Sequence, residues 1–372
     1  MIYLDNAATT PMLDEVKEVV VKDYYNPSSI HNVGIKAKTA IDKTRSIIAK
    51  AISCNPKEIY FTSGGTEANN LALLGYTKNY RGGKIITTQI EHPSVLKTCQ
   101  HLERKGFEVV YLPVDSNGLI NLEQLKKELT LDTILVSIMT VNNEIGTVQK
   151  IREIGELCKR YNRTFHTDAV QGFGHMTINV QKNNIDMMSV SGHKFGAPKG
   201  TGFLYKRKGV DVKHLFYGGK QERKLRSGTQ NVNGIVGLGV ATELQRKNMK
   251  ENRERLKEMY RYLYYRLSKE PYITVNSDKY NTIHTCINIS IDGIRGEELT
   301  TLLNEMEIYV STGSACSSKS SKPSHVLTAI GLDEDTINSS IRISISERTN
   351  IDDVKQAVEM MLHSIQILKN RK

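Results

Sequence analysis

Between about residues 15 and 210, short apolar runs alternate with amphipathic stretches. The runs 58–62, 84–87, 108–112, 133–138, 164–167 and 186–190 have the length and β-branched content of strands. Helical spacing separates them, as where Ile151, Ile154, Leu157, Cys158 and Tyr161 fall on one face. This alternation predicts a mainly parallel sheet covered by helices on both sides, a fold that places ligands at the carboxyl ends of its strands. A long helical pattern follows from about Gly234 to Leu267. The period then changes to two: Ile283, Thr285, Ile287, Ile289 and Ile291 alternate with smaller or polar residues, as do Ile341, Ile343 and Ile345. Asn350 is placed to cap a last helix with Asp352 and Asp353 in its first turn. Val354, Val358, Met361, Leu362, Ile365 and Leu368 form the apolar stripe of that helix.

These patterns predict an α/β protein of two domains. The first would be a large domain with a mainly parallel sheet flanked by helices, the second a smaller α+β domain from about residue 260 to the end. The 372 residues suffice for two cores of ordinary size. One stretch, Ser311 to His325, breaks the pattern, being rich in serine and having almost nothing to bury. It predicts an exposed, mobile loop, an uncommon place for the cysteine it carries, Cys316.

Composition narrows the function classes. No apolar run approaches the roughly 20 residues that span a bilayer, and the N-terminus lacks the build of a signal peptide. A cytoplasmic protein is therefore expected. Five scattered cysteines, Cys54, Cys99, Cys158, Cys286 and Cys316, include no CxxC pair, which argues for free thiols over disulfides or structural zinc. Cys158 and Cys286 sit at core positions of their elements; Cys54 and Cys99 carry no functional signal. The net charge of +11 comes from residues spread along the chain, without an aromatic-interleaved basic motif. It argues against direct nucleic-acid binding, although general attraction to tRNA or to an acidic protein stays open.

Three local patterns carry candidate chemistry. Ser191-Gly192-His193-Lys194 follows an apolar strand, so Lys194 could enter a cleft and form a Schiff base, or could be a solvated surface charge. Asp168, at another strand end with Gln171 three residues on, could pair with the pyridinium nitrogen of a cofactor or cap a helix. Ser63-Gly64-Gly65-Thr66-Glu67 joins a strand to a helix and could cradle a phosphate or simply turn the chain. It lacks the Walker pattern of nucleotide sites.

Together these elements resemble the cysteine desulfurases of the NifS/IscS type, in the class V aminotransferase group of fold-type I pyridoxal-phosphate enzymes. The resemblance runs through LDNAATTP (4–11), NPSSIHNVG (26–34), FTSGGTEANNLAL (61–73), EHPSV (91–95), VNNEIGTVQ (141–149), HTDAVQ (166–171), SVSGHKFGAPKGTG (189–202), RSGTQN (226–231), STGSACSS (311–318) and SSIRIS (339–344), almost the whole chain.

The resemblance implies a large cofactor-binding domain over residues 15–258 with a mainly parallel seven-stranded sheet, a small domain of residues 1–14 and 259–372 carrying the cysteine loop 311–325, and a site. Lys194 carries pyridoxal 5'-phosphate, Asp168 pairs with the ring nitrogen, and Gln171 bonds the ring's phenolic oxygen. His92 stacks on the ring and moves protons. Gly65, Thr66, Ser191 and His193 hold the phosphate, joined by Thr229 from a second subunit, which implies a homodimer with shared sites. Asn143 contacts cofactor or substrate, and Arg342 pairs with the carboxylate of L-cysteine. Cys316 is the nucleophile and receives the sulfur as a persulfide; its loop has the long form of the IscS/NifS branch. No resident metal is implied, although Cys316 would meet an iron–sulfur cluster transiently during transfer. The implied partners are sulfur-acceptor proteins, an iron–sulfur scaffold or a tRNA-thiolation enzyme. A selenocysteine lyase or another class V aminotransferase is the alternative. Two departures stand out. Glu347-Arg348 replaces the Gly-Arg of many relatives, with an expected effect on the substrate rim. The chain also ends directly after its final helix, so the tail that grips a scaffold protein in some relatives is expected to be absent or very short.

Overall fold

A computed structural model describes residues 1–312 and 323–371. Its strands are β1 (Ile2–Tyr3), β2 (Ile59–Thr62), β3 (Lys84–Thr88), β4 (Glu108–Leu112), β5 (Thr133–Ser137), β6 (Thr164–Asp168), β7 (Met187–Ser191) and β8 (Gly202–Lys206). A second set follows as β9 (Ile273–Val275), β10 (Cys286–Ile291), β11 (Ile308–Tyr309), β12 (Ser311–Thr312) and β13 (Ser340–Ser344). β2 to β8 form the expected seven-stranded sheet, in the order β2-β8-β7-β6-β5-β3-β4. All neighbours are parallel except β8, which runs antiparallel to both β2 and β7. β8 went unread in the sequence because its short Phe203-Leu204-Tyr205 run lies between glycines and a basic turn. β3 and β7 are buried at every position, as strands covered on both faces must be.

β9, β10, β12 and β13 make a smaller antiparallel sheet in the order β12-β13-β10-β9. The period-two pattern of β10 suggested one polar face, yet all six of its residues are buried. Its polar side is covered, and Asn276 Nδ2 donates to Asn288 Oδ1 (2.7 Å) and Ser290 Oγ (2.8 Å). Ser311 and Thr312, expected in the exposed loop, are strand β12 on β13, and His325 opens a short helix that Ser324 caps. Cys316 lies outside the described residues.

Separate cores support the two sheets. Ile48, Ile86, Val136, Phe165, Met188 and Phe203 belong to one core of the large sheet, and Ile287, Ile289, Ile343, Leu299 and Ile365 to the core of the small sheet. The helix Val232–Leu267 passes from one to the other, giving Ile235 and Leu238 to the first and Leu256, Met259 and Leu263 to the second. Ile2 and Leu4 join the second core. Asn350 caps the last helix through the amide of Asp352, and its stripe from Val354 to Leu368 is buried as read. No helix among the described residues is long and apolar enough to cross a membrane.

Candidate active site

A cavity of about 410 Å³ opens where β6 and β7 end. The loops after β2, β3 and β5 and the face of β13 complete its wall. Gly65, Thr66, His92, Asn143, Asp168, Gln171, Ser191, His193, Lys194 and Arg342 all line it. Thr229 does not; it is an exposed residue just before the helix Val232–Leu267.

Lys194 ends a single 3-10 turn after β7. Its Nζ donates to the carbonyls of Ala7 (2.7 Å) and Ala8 (2.8 Å), so the N-terminal segment holds the ammonium at the cavity wall. Gln171 Nε2 reaches the same Ala7 carbonyl at 3.1 Å. Asp168, at the end of β6 beside β7, is 4% exposed. Its Oδ1 accepts from the amide of Val170 (2.9 Å) and its Oδ2 from Asn69 Nδ2 (2.7 Å).

Asn69 was not singled out in the sequence, although it stands in the FTSGGTEANNLAL segment, one turn into the helix Gly65–Thr77. Its Nδ2 also donates to Ser94 Oγ (2.8 Å), and Ser94 Oγ contacts His92 Nδ1 (2.8 Å). A single amide thus orients both the acid and the imidazole. A hydrogen bond to a charged group of this kind contributes about 1.5–3 kcal/mol. His92 Nδ1 also caps the helix Pro93–Glu103 by accepting from the amide of Ser94 (3.1 Å), which leaves the ring proton on Nε2. Burial lowers the His92 pKa against the opposing pull of Asp168, helped by the fields of Lys194 and His325, so the neutral ring prevails near pH 7.

The turn after β2 suits an anion. Gly64 has φ of 156°, and a Cβ on Gly65 would lie 2.6 Å from Val170 Cγ2, so the backbone at the helix start comes close to the end of β6. Amides at a helix N-terminus face outward with the positive end of the dipole. Ser191 and His193 line the cavity with them. Burial pushes the His193 pKa down to about 4, with Lys194 and Lys199 adding to it.

Arg342 is 2% exposed on β13. Its Nη2 meets Asp5 Oδ1 at 2.8 Å and its Nη1 donates to the Asn143 carbonyl at 3.1 Å, while its Nε, buried, has no partner. A buried guanidinium with an unused N–H on a residue that lines a cavity has the chemistry to pair with a carboxylate. Arg342→Ala is expected to raise KM for a carboxylate-bearing substrate tens- to thousands-fold, since losing such a contact costs about 2–5 kcal/mol. Steady-state kinetics check this, and a wild-type KM with only kcat reduced would remove the role. Glu347, expected at the substrate rim, is not among the lining residues; its Oε1 accepts from Gln245 Nε2 at 2.6 Å.

Two buried carboxyls stand behind the cavity. Glu144 is pushed up to about 7 by burial and accepts from Ser324 Oγ (2.5 Å). Glu91 is pushed up to about 8 by burial, with Asp168 adding to it, and accepts from Thr88 Oγ1 (2.9 Å) and the Met139 amide (2.8 Å). The folded protein therefore keeps the Glu91 proton at pH values where the unfolded chain, near 4.5, has lost it. This contribution to stability is full below about pH 4.5 and is lost as pH rises through about 8. Glu91→Gln should lose less stability than wild type between pH 5.5 and 8.5, measured by urea unfolding at both values; equal losses would contradict the shift.

Pyridoxal phosphate fits this donor set. It needs a lysine, an acid for the ring nitrogen and a backbone anion cradle, and all three face one cavity. The described thiols are poor nucleophiles. Burial pushes Cys54 and Cys286 up to about 12 and raises Cys99 and Cys158 as well. Among the described residues, no group of three or more His, Cys, Asp or Glu could hold a metal ion.

The family described as Aminotransferase class-V matches residues 2–357. The cysteine desulfurase IscS of Methanosarcina thermophila is 46% identical over 99% of this chain and 93% of its own length. A solved NifS-like protein superimposes with a TM-score of 0.92 at 38% identity, covering 99% of both chains. A structure of SspA in complex with cysteine gives a TM-score of 0.83 at 38% identity, over 94% of this chain and all of that one. The chain belongs to the class V aminotransferase family, in the group of the IscS- and NifS-type cysteine desulfurases.

Proposed function

We propose that this protein is a pyridoxal-phosphate-dependent cysteine desulfurase. It takes sulfur from L-cysteine, releases L-alanine and keeps the sulfur on Cys316 as a persulfide. The observation that carries this reading is the convergence of Lys194, Asp168 and Arg342, from adjacent strand ends of one sheet and from a second sheet, on a single cavity.

When bound, pyridoxal phosphate supplies an electron sink for the pair left at the substrate's Cα. Lys194 would hold the cofactor and, once released from it, take the Cα proton. Asp168, oriented by Asn69, would pair with the ring nitrogen and Gln171 with the phenolic oxygen. Neutral His92 would lie against the ring and could donate a proton from Nε2. Gly65, Thr66, Ser191 and His193 would hold the phosphate, and Asn143 and Arg342 would bind the substrate. The Cys316 thiolate attacks the substrate sulfur: a sulfur–sulfur bond forms and the carbon–sulfur bond breaks, its electrons staying with carbon. Protonation of that carbon, Cβ, and return of a proton to Cα complete alanine.

The test is an assay of L-cysteine turnover that measures sulfide and alanine together, with a thiol reductant to release sulfur. Equal amounts of both products support the reading. Pyruvate in place of alanine, or amino-group transfer to a keto acid, would overturn it.

The site also favours a homodimer, because Thr229 is exposed and away from the cavity of its own subunit, free to serve a partner's phosphate. Exposed Tyr25, Ile30, Phe216 and Tyr217 offer apolar surface for such an interface. Mixing Lys194→Ala subunits with Thr229→Ala subunits should regain activity, since hybrid dimers would hold one intact site. No regain after proven exchange would exclude sharing. Cys316 would pass its sulfur to an acceptor protein, an iron–sulfur scaffold or a tRNA-thiolation enzyme. A cytoplasmic setting fits the four unpaired described cysteines.

A further inference from the structure

A second cavity, of about 470 Å³, shares no lining residue with the active site. It lies between the middle of the helix Val232–Leu267 and the segment after Gln171. Its apolar lining includes Ile52, Phe173, Met176, Ile178 and Met249. Arg246, Lys247, Lys250 and Arg253 also line it, and all four are exposed. Positions 246, 250 and 253 share one helix face over about 10 Å of axis. That face continues through Lys257 and Arg261, and the charges of Lys257, Arg253 and Arg261 add to burial in lowering the His284 pKa to about 4. Glu254 is the one acidic residue among the lining residues, and no ion pair joins the four cations to a carboxylate among the described residues.

Four unpaired cations on the wall of an apolar cavity call for an occupant that carries both carboxylates and an aliphatic group. A nucleic acid suits the cavity less well. Its one aromatic lining residue, Phe173, is 4% exposed and offers no stacking platform.

We propose that this groove docks an acidic segment of a partner protein. Its carboxylates pair with Arg246, Lys250 and Arg253, and one aliphatic side chain enters between Met176, Ile178 and Met249. The groove lies behind the Lys194 turn: Gln245, which lines it, donates to the carbonyl of Phe195 (3.2 Å), the residue after Lys194. A partner bound here leaves the active-site cavity open to substrate, because the two share no wall.

The probe is a fluorescein-labelled 14-residue peptide of Glu, Asp and Ser with one central Leu, titrated against the holoenzyme by anisotropy. The wild type should bind it with a salt-dependent Kd. The triple variant Arg246→Glu, Lys250→Glu, Arg253→Glu should bind at least tenfold more weakly, with L-cysteine turnover unchanged. Replacing the peptide's Leu with Ser should weaken binding at least threefold. Lys105→Glu, Lys126→Glu, Lys127→Glu, the same charge change on other elements, should keep full binding. No measurable binding to wild type, equal binding to the groove variant, equal loss in the second triple variant, or no effect of the Leu would overturn the proposal. So would a 20-nucleotide single-stranded RNA that binds through the same three residues more tightly than the peptide.

Discussion

Lys194→Ala is expected to remove all measurable desulfuration, at least a 10⁴-fold loss of kcat. Two tasks fall to one amine in the proposed mechanism: holding the cofactor covalently and taking the Cα proton. General acid–base catalysis alone is worth about 10²- to 10⁴-fold, and loss of the covalent link adds to it. Among the described residues no other lysine lines the cavity to take over. The ammonium donates to the Ala7 and Ala8 carbonyls, backbone groups of the N-terminal segment, and the fold should tolerate the truncation. Cofactor should still enter, held through Asp168 and the phosphate cradle, but borohydride should no longer fix it to the protein. A variant that still gave a reduced, cofactor-labelled peptide would move the covalent role elsewhere.

Cys316→Ser should have an effect of the same size on sulfide release for a different reason. A hydroxyl is a far poorer nucleophile toward sulfur at neutral pH than a thiolate, so substrate should bind, perturb the cofactor's absorbance and stall. The four described thiols cannot substitute readily, since burial holds each protonated. Cys286 shows why nearness is not enough: its Sγ donates to the Glu144 carbonyl at 3.3 Å, beside the cavity-lining Asn143, yet its pKa is pushed up to about 12. In wild type, L-cysteine should add one thiol-releasable sulfur atom per chain, mapping by mass spectrometry to the peptide of Cys316. A persulfide on another cysteine, or undiminished sulfide from Cys316→Ser, would defeat the central claim.

Glu347 tests how far reading by resemblance extends. Its departure from the Gly-Arg of relatives suggested a change at the substrate rim. In the fold its carboxylate turns to Gln245, 102 residues away, whose amide also holds the Phe195 carbonyl. A substitution next to a motif need not face the site the motif serves.

By itself the sequence determined what depends on neighbours along the chain. Strand runs, the Asn350 cap, the apolar stripe of the last helix and the lysine turn after β7 all follow from local period, capping chemistry and short-range sterics. The segments that carry the family resemblance marked ten of the residues lining one cavity. Only the tertiary structure decided which distant groups hold them. Asn69 reaches Asp168 across 99 residues and Arg342 reaches Asp5 across 337, and no local pattern marks either pair. It also decided that β8 enters the sheet antiparallel between β2 and β7, and that the polar side of β10 is buried. The physical reason is that hydrophobic period reports which side of an element is apolar, whereas a buried polar contact depends on the partner the fold brings to it.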